Sequence, residues 1–130
     1  MNLKQIVLAL SAILLLSGCS ANPQPEATYR QINMNEAIVM MEAETDYIIL
    51  DVRTPEEFAA GHIPDAMNIP NEAIGTAEIP ELPNKDQLIL IYCRSGNRSK
   101  QASEKLVALG YTNIVEFGGI NSWPGEVVTD

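Results

Sequence analysis

The sequence predicts an α/β domain in which a mainly parallel sheet is covered on both faces by helices. Three observations carry that reading. Two apolar runs of strand length, Tyr47-Ile48-Ile49-Leu50-Asp51-Val52 and Leu88-Ile89-Leu90-Ile91-Tyr92, lack the regular polar alternation of a half-wet strand, as expected for strands buried on both sides. Helix-patterned stretches alternate with the strand candidates along the chain. Both runs bring a polar or reactive residue to their carboxyl ends, Asp51 and Cys93, on the side where parallel sheets place their ligands. With 130 residues the chain has room for one such domain.

The first 19 residues stand apart from this pattern. Lys4 is the only charge before an apolar stretch from Ile6 to Leu16. That stretch is too short to span a bilayer comfortably and reads as the apolar region of a secretory signal. It closes on Leu16-Ser17-Gly18-Cys19, which resembles the bacterial lipoprotein box, where the cysteine becomes the acylated first residue of the mature chain. An ordinary signal peptide or an uncleaved anchor would leave Cys19 incidental; the small residues at 17 and 18 favour lipidation. The expected organisation is a lipoprotein signal peptide over residues 1–19 including lipidated Cys19, a Pro-containing tether over 20–28, and one domain over 29–130.

Loss of Lys4 with the leader leaves seven basic against 17 acidic residues, so the net charge moves from −9 to −10. A surface this acidic argues against nucleic acid and against anionic lipid headgroups as nonspecific partners, so the membrane is met through the lipid anchor only. The implied location is the cell envelope, facing the periplasm or cell exterior. If Cys19 is acylated, Cys93 is the only thiol left, and no internal disulfide can form.

Within the domain, Met34 to Ala43 places Met34, Ala37, Ile38 and Met41 at helical spacing behind an Asn33 cap, with the methionines as core filler. The Tyr47–Val52 strand leads into Thr54-Pro55-Glu56-Glu57, a capping threonine, a proline at the first helical position and a glutamate three residues after the cap. The short helix reaches Ala60 and stops at Gly61. Ala66-Met67-Asn68-Ile69 is a strand candidate ended by Pro70, Asn71 to Gly75 one helical turn, and Pro80 to Asp86 a loop. From Ser99 onward Ala102, Leu106 and Leu109 share a helix face, and Gly110 supplies the C-terminal cap. Ile114-Val115-Glu116-Phe117 reads as a last strand before Gly118-Gly119 and a segment around Trp123.

The chemistry concentrates at Cys93-Arg94-Ser95-Gly96-Asn97-Arg98-Ser99, between a strand and a helix. A helix start offers unpaired N–H groups and partial positive charge, and two arginines flank the sulfur. A free cysteine titrates near pH ~8.5, and thiols in electropositive loops fall well below that, so Cys93 is expected to be ionised at neutral pH. A buried cysteine acting as a small hydrophobe is the commoner state, but these neighbours are polar and charged.

Three ordered motifs resemble the rhodanese superfamily. Asp51-Val52-Arg53-Thr54-Pro55-Glu56-Glu57-Phe58 with Gly61-His62-Ile63-Pro64 and Ala66-Met67-Asn68-Ile69-Pro70 is similar to its first signature; Cys93 to Ser99 is similar to its active loop; Gly118-Gly119-Ile120-Asn121-Ser122-Trp123 is similar to its closing motif. Asp65 stands where the family more often has glycine. The resemblance implies a three-layer fold around a mainly parallel five-stranded sheet, and a single-domain thiosulfate sulfurtransferase in which Cys93 carries a sulfane sulfur as a persulfide. It calls for no cofactor and no metal. The partners are a small-molecule sulfur donor and acceptor, or a sulfur-accepting protein, with the chain as a monomer.

The residues suit each step. Backbone N–H groups from Arg94 to Ser99 can form an anion-holding nest, Gly96 gives the loop dihedrals a β-carbon would obstruct, and Arg98, with Arg94 beside it, can hold the loop and an anionic donor. Ser95, Asn97 and Ser99 suit loop hydrogen bonding and capping. Asp51, Arg53 and Glu57 read as a polar network under the strand-to-helix turn, with Asp51 placed to steady the loop. His62, the single histidine, sits in a turn that is structural in the resembling family, and Trp123 reads as core or lid. Two other readings stay open. A related cysteine phosphatase uses similar parts, but with a longer spacing than the four residues between Cys93 and Arg98. A noncatalytic persulfide carrier needs the same loop.

Overall fold

The computed structural model describes residues 28–130; the leader, Cys19 and nearly all of the tether lie outside the described residues. The elements run β1 (Arg30–Gln31), α1 (Met34–Ala43), β2 (Tyr47–Asp51), α2 (Pro55–Ala60), β3 (Met67–Asn68), β4 (Leu88–Cys93), α3 (Asn97–Ala108) and β5 (Ile114–Gly119), with single 3₁₀ turns at Asn71–Ala73 and Ile120–Ser122. All five strands form one sheet in the order β1-β5-β4-β2-β3, and every neighbouring pair is parallel. The central strands β2, β4 and β5 are the ones with the longest apolar runs, as burial on both faces requires.

The pleat sorts side chains into two cores. Leu50, Ile89, Ile91, Cys93 and Ile114 face Ala102 and Leu106 of α3, while Ile49, Leu90, Tyr92, Val115 and Phe117 face Ala37 of α1. The expected helix α1 forms over the expected residues: Asn33 Oδ1 accepts from Glu36 N–H at 2.9 Å and the Glu36 side chain reaches back to Asn33 N–H. Only Ala37 of α1 is fully buried, and Met34, Met40 and Met41 fill in around it. Helix α2 starts from Thr54 and Pro55 and ends at Gly61 as its sequence predicts. Helix α3 ends in a Schellman arrangement, with Tyr111 N–H on Leu106 O at 3.1 Å and Gly110 N–H on Val107 O at 3.0 Å.

Two expectations change. Helix α3 begins at Asn97, two residues before Ser99, because Gly96 takes φ 113° and turns the chain directly into the helix; Arg98 and Ser99 therefore sit in the first helical turn. The fifth strand is Arg30–Gln31, a two-residue edge whose hydrogen-bonding partner is β5, far along the chain.

Asp65, where the family more often has glycine, has φ 67° in the left-handed region. Aspartate tolerates that region and a β-branched residue does not. Asp65→Val is expected to cost about 1–2 kcal/mol in urea denaturation, and Asp65→Gly to stay within about 1 kcal/mol of wild type.

Candidate active site

Strand β4 carries Cys93 on its α3-facing side, and there the register with β5 shifts so that Cys93 lies opposite Gly119. The turn at Gly96 then folds the backbone over the sulfur. Gly96 N–H points at Cys93 Sγ from 3.0 Å and Ser99 Oγ lies 3.5 Å away. Cys93 is 1 % exposed, so the sulfur sits beneath the loop, met by polar groups although it belongs to the α3-side core. Burial alone would push the thiol up. The contact with the Ser99 side chain and hydrogen bonds from the N–H groups of Ser99, Gly96 and Ser95 outweigh it, and the thiol falls below its ordinary value.

The close fit of loop against β5 depends on Gly119. A β-carbon there would collide with the Arg94 carbonyl and lie 2.6 Å from Ser95 N. The Asn121 N–H donates to the same Arg94 oxygen at 3.3 Å. The glycine pair is visible in the sequence; that the second glycine gauges the loop follows only from the β4–β5 pairing.

Arg98 extends to helix α2. Its Nη1 and Nη2 donate to Glu57 Oε1 at 2.7 Å and Oε2 at 3.0 Å, so both ends of the guanidinium fork are engaged. Glu57 therefore does not join the network with Asp51 and Arg53 that the sequence suggests; half-buried on α2, it is bonded to Arg98 in the first turn of α3. Arg53 instead closes the β2–α2 turn, donating to Asp51 Oδ2 at 2.6 Å and to Gly61 O at 2.7 Å from its buried position. The Asp51 carboxylate is engaged by Arg53 and accepts from Arg53 N–H at 2.9 Å, so it steadies the turn and not the Cys93 loop.

Arg94 is exposed and forms no ion pair among the described residues; Ser95 and Asn97 are exposed beside it. His62 is engaged elsewhere. Its ring stacks on Phe58 at 3.8 Å, and its Nδ1 lies 2.9 Å from Phe58 O. Trp123 packs partly buried on the α1-side core, with Nε1 donating to Glu126 O at 3.0 Å.

The Arg98 clamp, opposed by burial, pushes Glu57 down from 4.5 to about 2. A carboxylate with a depressed folded value adds stability above its unfolded value and loses it as pH falls through the folded one. Glu57 is about a third exposed, so solvent screens the pair and Glu57→Gln is expected to cost only about 1 kcal/mol at pH 7. In urea titrations that difference from wild type should shrink as pH falls from 4.5 towards about 2.

One site residue escaped sequence reasoning. Glu116 is 3 % exposed on the α3-facing side of β5, and its Oε1 accepts from Ser99 Oγ at 2.7 Å and from Gly118 N–H at 2.8 Å. The available signal was an acid inside an otherwise apolar strand.

Residues 33–126 match the family of the rhodanese-like domain. A sulfurtransferase of Allochromatium vinosum is 42% identical over 91 residues, covering 68% of this chain and 83% of that protein. The thiosulfate sulfurtransferase PspE of Escherichia coli is 35% identical over 71 residues, covering 55% of this chain and 68% of that protein. A solved rhodanese-related protein from Thermoplasma volcanium aligns with a TM-score of 0.65 at 34% identity, over 78% of this chain and 100% of that one. The parallel five-stranded sheet, the loop closing over the thiol at the end of its central strand and these likenesses to sulfurtransferases place the chain in the rhodanese superfamily.

Proposed function

We propose that the protein moves a sulfane sulfur from thiosulfate, or a similar donor, through a Cys93 persulfide to a thiol or to cyanide. The observation that carries this reading is the Sγ held 3.0 Å from Gly96 N–H, with its acidity raised by the surrounding hydrogen bonds. A thiolate so prepared needs no general base. It attacks the outer sulfur of thiosulfate; the new S–S bond forms as the donor's S–S bond breaks, and sulfite leaves with the electron pair. The acceptor then attacks the outer sulfur of the persulfide, and Cys93 leaves as the thiolate that began the cycle. The same N–H groups face the anion in both states. Exposed Arg94 supplies positive charge at the mouth of an otherwise acidic chain.

Two features favour sulfur transfer over phosphate hydrolysis. Arg98 is committed at both ends to Glu57, and only four residues separate it from Cys93. Burial of the sulfur favours small acceptors, which suits an enzyme better than a carrier docking onto a partner. Purified protein given thiosulfate and cyanide, and separately an aryl phosphate, is expected to form thiocyanate repeatedly and release no phosphate. Phosphate release without thiocyanate would overturn the reading, and a single uptake of sulfur with no turnover would make the protein a carrier. Acylation of Cys19 would hold this chemistry at an envelope membrane, and acyl groups on the Cys19 peptide in mass spectra of cell-derived protein test that.

A further inference from the structure

We propose that Glu116 is a positioning residue for Cys93, acting through the single hydroxyl proton of Ser99, for which its carboxylate and the sulfur compete. The inference rests on the thiolate reading above and deepens it. Ser99 Oγ lies 2.7 Å from Glu116 Oε1, 2.9 Å from Gly96 O, 3.4 Å from Gly118 O and 3.5 Å from Cys93 Sγ. A serine hydroxyl donates once. Glu116 Oε1 is the nearest of these acceptors, and a carboxylate oxygen accepts more strongly than a neutral carbonyl, so it takes the proton in preference to the others.

The surroundings leave Glu116 dependent on that bond. The residue opposite it on β1 is the neutral Gln31, and the one on β4 is Ile91. From α3, Ser103 turns its hydroxyl to Ser99 O at 2.7 Å, and Arg98 is held by Glu57 of α2. Arg30 of β1 and Arg94 of the loop are exposed, and on β2 Asp51 is bound to Arg53. No ion pair involves Glu116 among the described residues; its Oε1 is served by the Ser99 hydroxyl and Gly118 N–H. The arrangement ties the end of β5 to the first turn of α3, directly beneath Gly96, where an added β-carbon would stand 3.9 Å from Glu116 Oε1.

The chemical consequence is a restrained thiolate. While Glu116 holds the hydroxyl proton, the sulfur relies mainly on backbone N–H groups. It is then a stronger nucleophile than a sulfur fully bonded by Ser99, because thiolate nucleophilicity falls as the thiol becomes more acidic. Glu116→Gln keeps an oxygen to accept from Ser99 and Gly118 but removes the charge. The acceptors left beside the hydroxyl, the new amide oxygen and Gly96 O, are then neutral, so an ionised Cys93 sulfur 3.5 Å away draws a larger share of the proton.

The test is the pH dependence of Cys93 alkylation by uncharged iodoacetamide in wild type, Glu116→Gln, Ser99→Ala and the double variant, all checked for folding by circular dichroism. In Glu116→Gln the acid limb is expected to move to lower pH, with the rate on that limb, relative to the plateau, rising about threefold or more. The plateau rate should itself fall by roughly two- to threefold. In the Ser99→Ala background the Glu116→Gln change should lose most of its effect. An unmoved limb would overturn the proposal, and so would an equal movement in both backgrounds, which would mean a through-space charge effect without the shared proton. If Glu116→Gln does not fold, Glu116→Asp withdraws the carboxylate from the hydroxyl, and the limb should move in the same direction. Alkylation needs no sulfur donor, so its outcome is independent of whether thiosulfate is the substrate.

Discussion

Cys93→Ser is expected to abolish thiocyanate formation from thiosulfate and cyanide, by roughly a thousandfold or more, while leaving the fold intact. A serine hydroxyl in the same place would meet the same N–H groups, yet at neutral pH it stays protonated and cannot displace sulfite. No other cysteine exists among the described residues to take over the role. The change removes little volume from a site that already holds polar partners, so urea denaturation should place the variant within about 1 kcal/mol of wild type. Retained transfer would mean that the nucleophile lies elsewhere.

Gly119→Ala should damage stability and activity together. Its β-carbon would be driven into the Arg94 carbonyl and to 2.6 Å from Ser95 N, both backbone atoms that no rotamer change can move aside. Either β5 or the loop must yield. We expect a loss of about 2–4 kcal/mol in urea denaturation, and a fall of roughly a hundredfold in thiocyanate formation because the loop's N–H groups no longer converge on the sulfur. The neighbouring Gly118→Ala is the control. Gly118 has φ 95°, so alanine there is strained, but its β-carbon would meet nothing within 4 Å. It should cost only about 1–2 kcal/mol and leave most of the activity. Equal effects at the two positions would refute the claim that Gly119 gauges the loop.

What could be read in the sequence was what local chemistry decides. Helix α2 is announced by Thr54, Pro55 and Glu57 and closed by Gly61, and the structure keeps those bounds. The apolar runs of β2 and β4 follow from burial on both faces, and the glycine in the Cys93 loop from the turn it must make. What the sequence did not disclose depends on pairing between distant segments. Arg30–Gln31 has no periodicity to betray a strand, and it is one only because β5 lies beside it. Glu57 could serve equally as a helix-start acid or as a partner for Arg53; its bond to Arg98 spans 41 residues. Glu116 could be placed on the α3 side only once the strand's pleat and the neighbouring Ser99 were both fixed.

Sulfur transfer by this chain requires a Cys93 sulfur kept reactive by the amides around it and able to hold a second sulfur atom. The direct measurement is the intact mass of the native protein after incubation with thiosulfate and no acceptor, followed by peptide mapping. The predicted result is a gain of one sulfur atom per chain, located on the Cys93 peptide, with one sulfite released for each. A native, alkylatable Cys93 that gains no sulfur and releases no sulfite would contradict it.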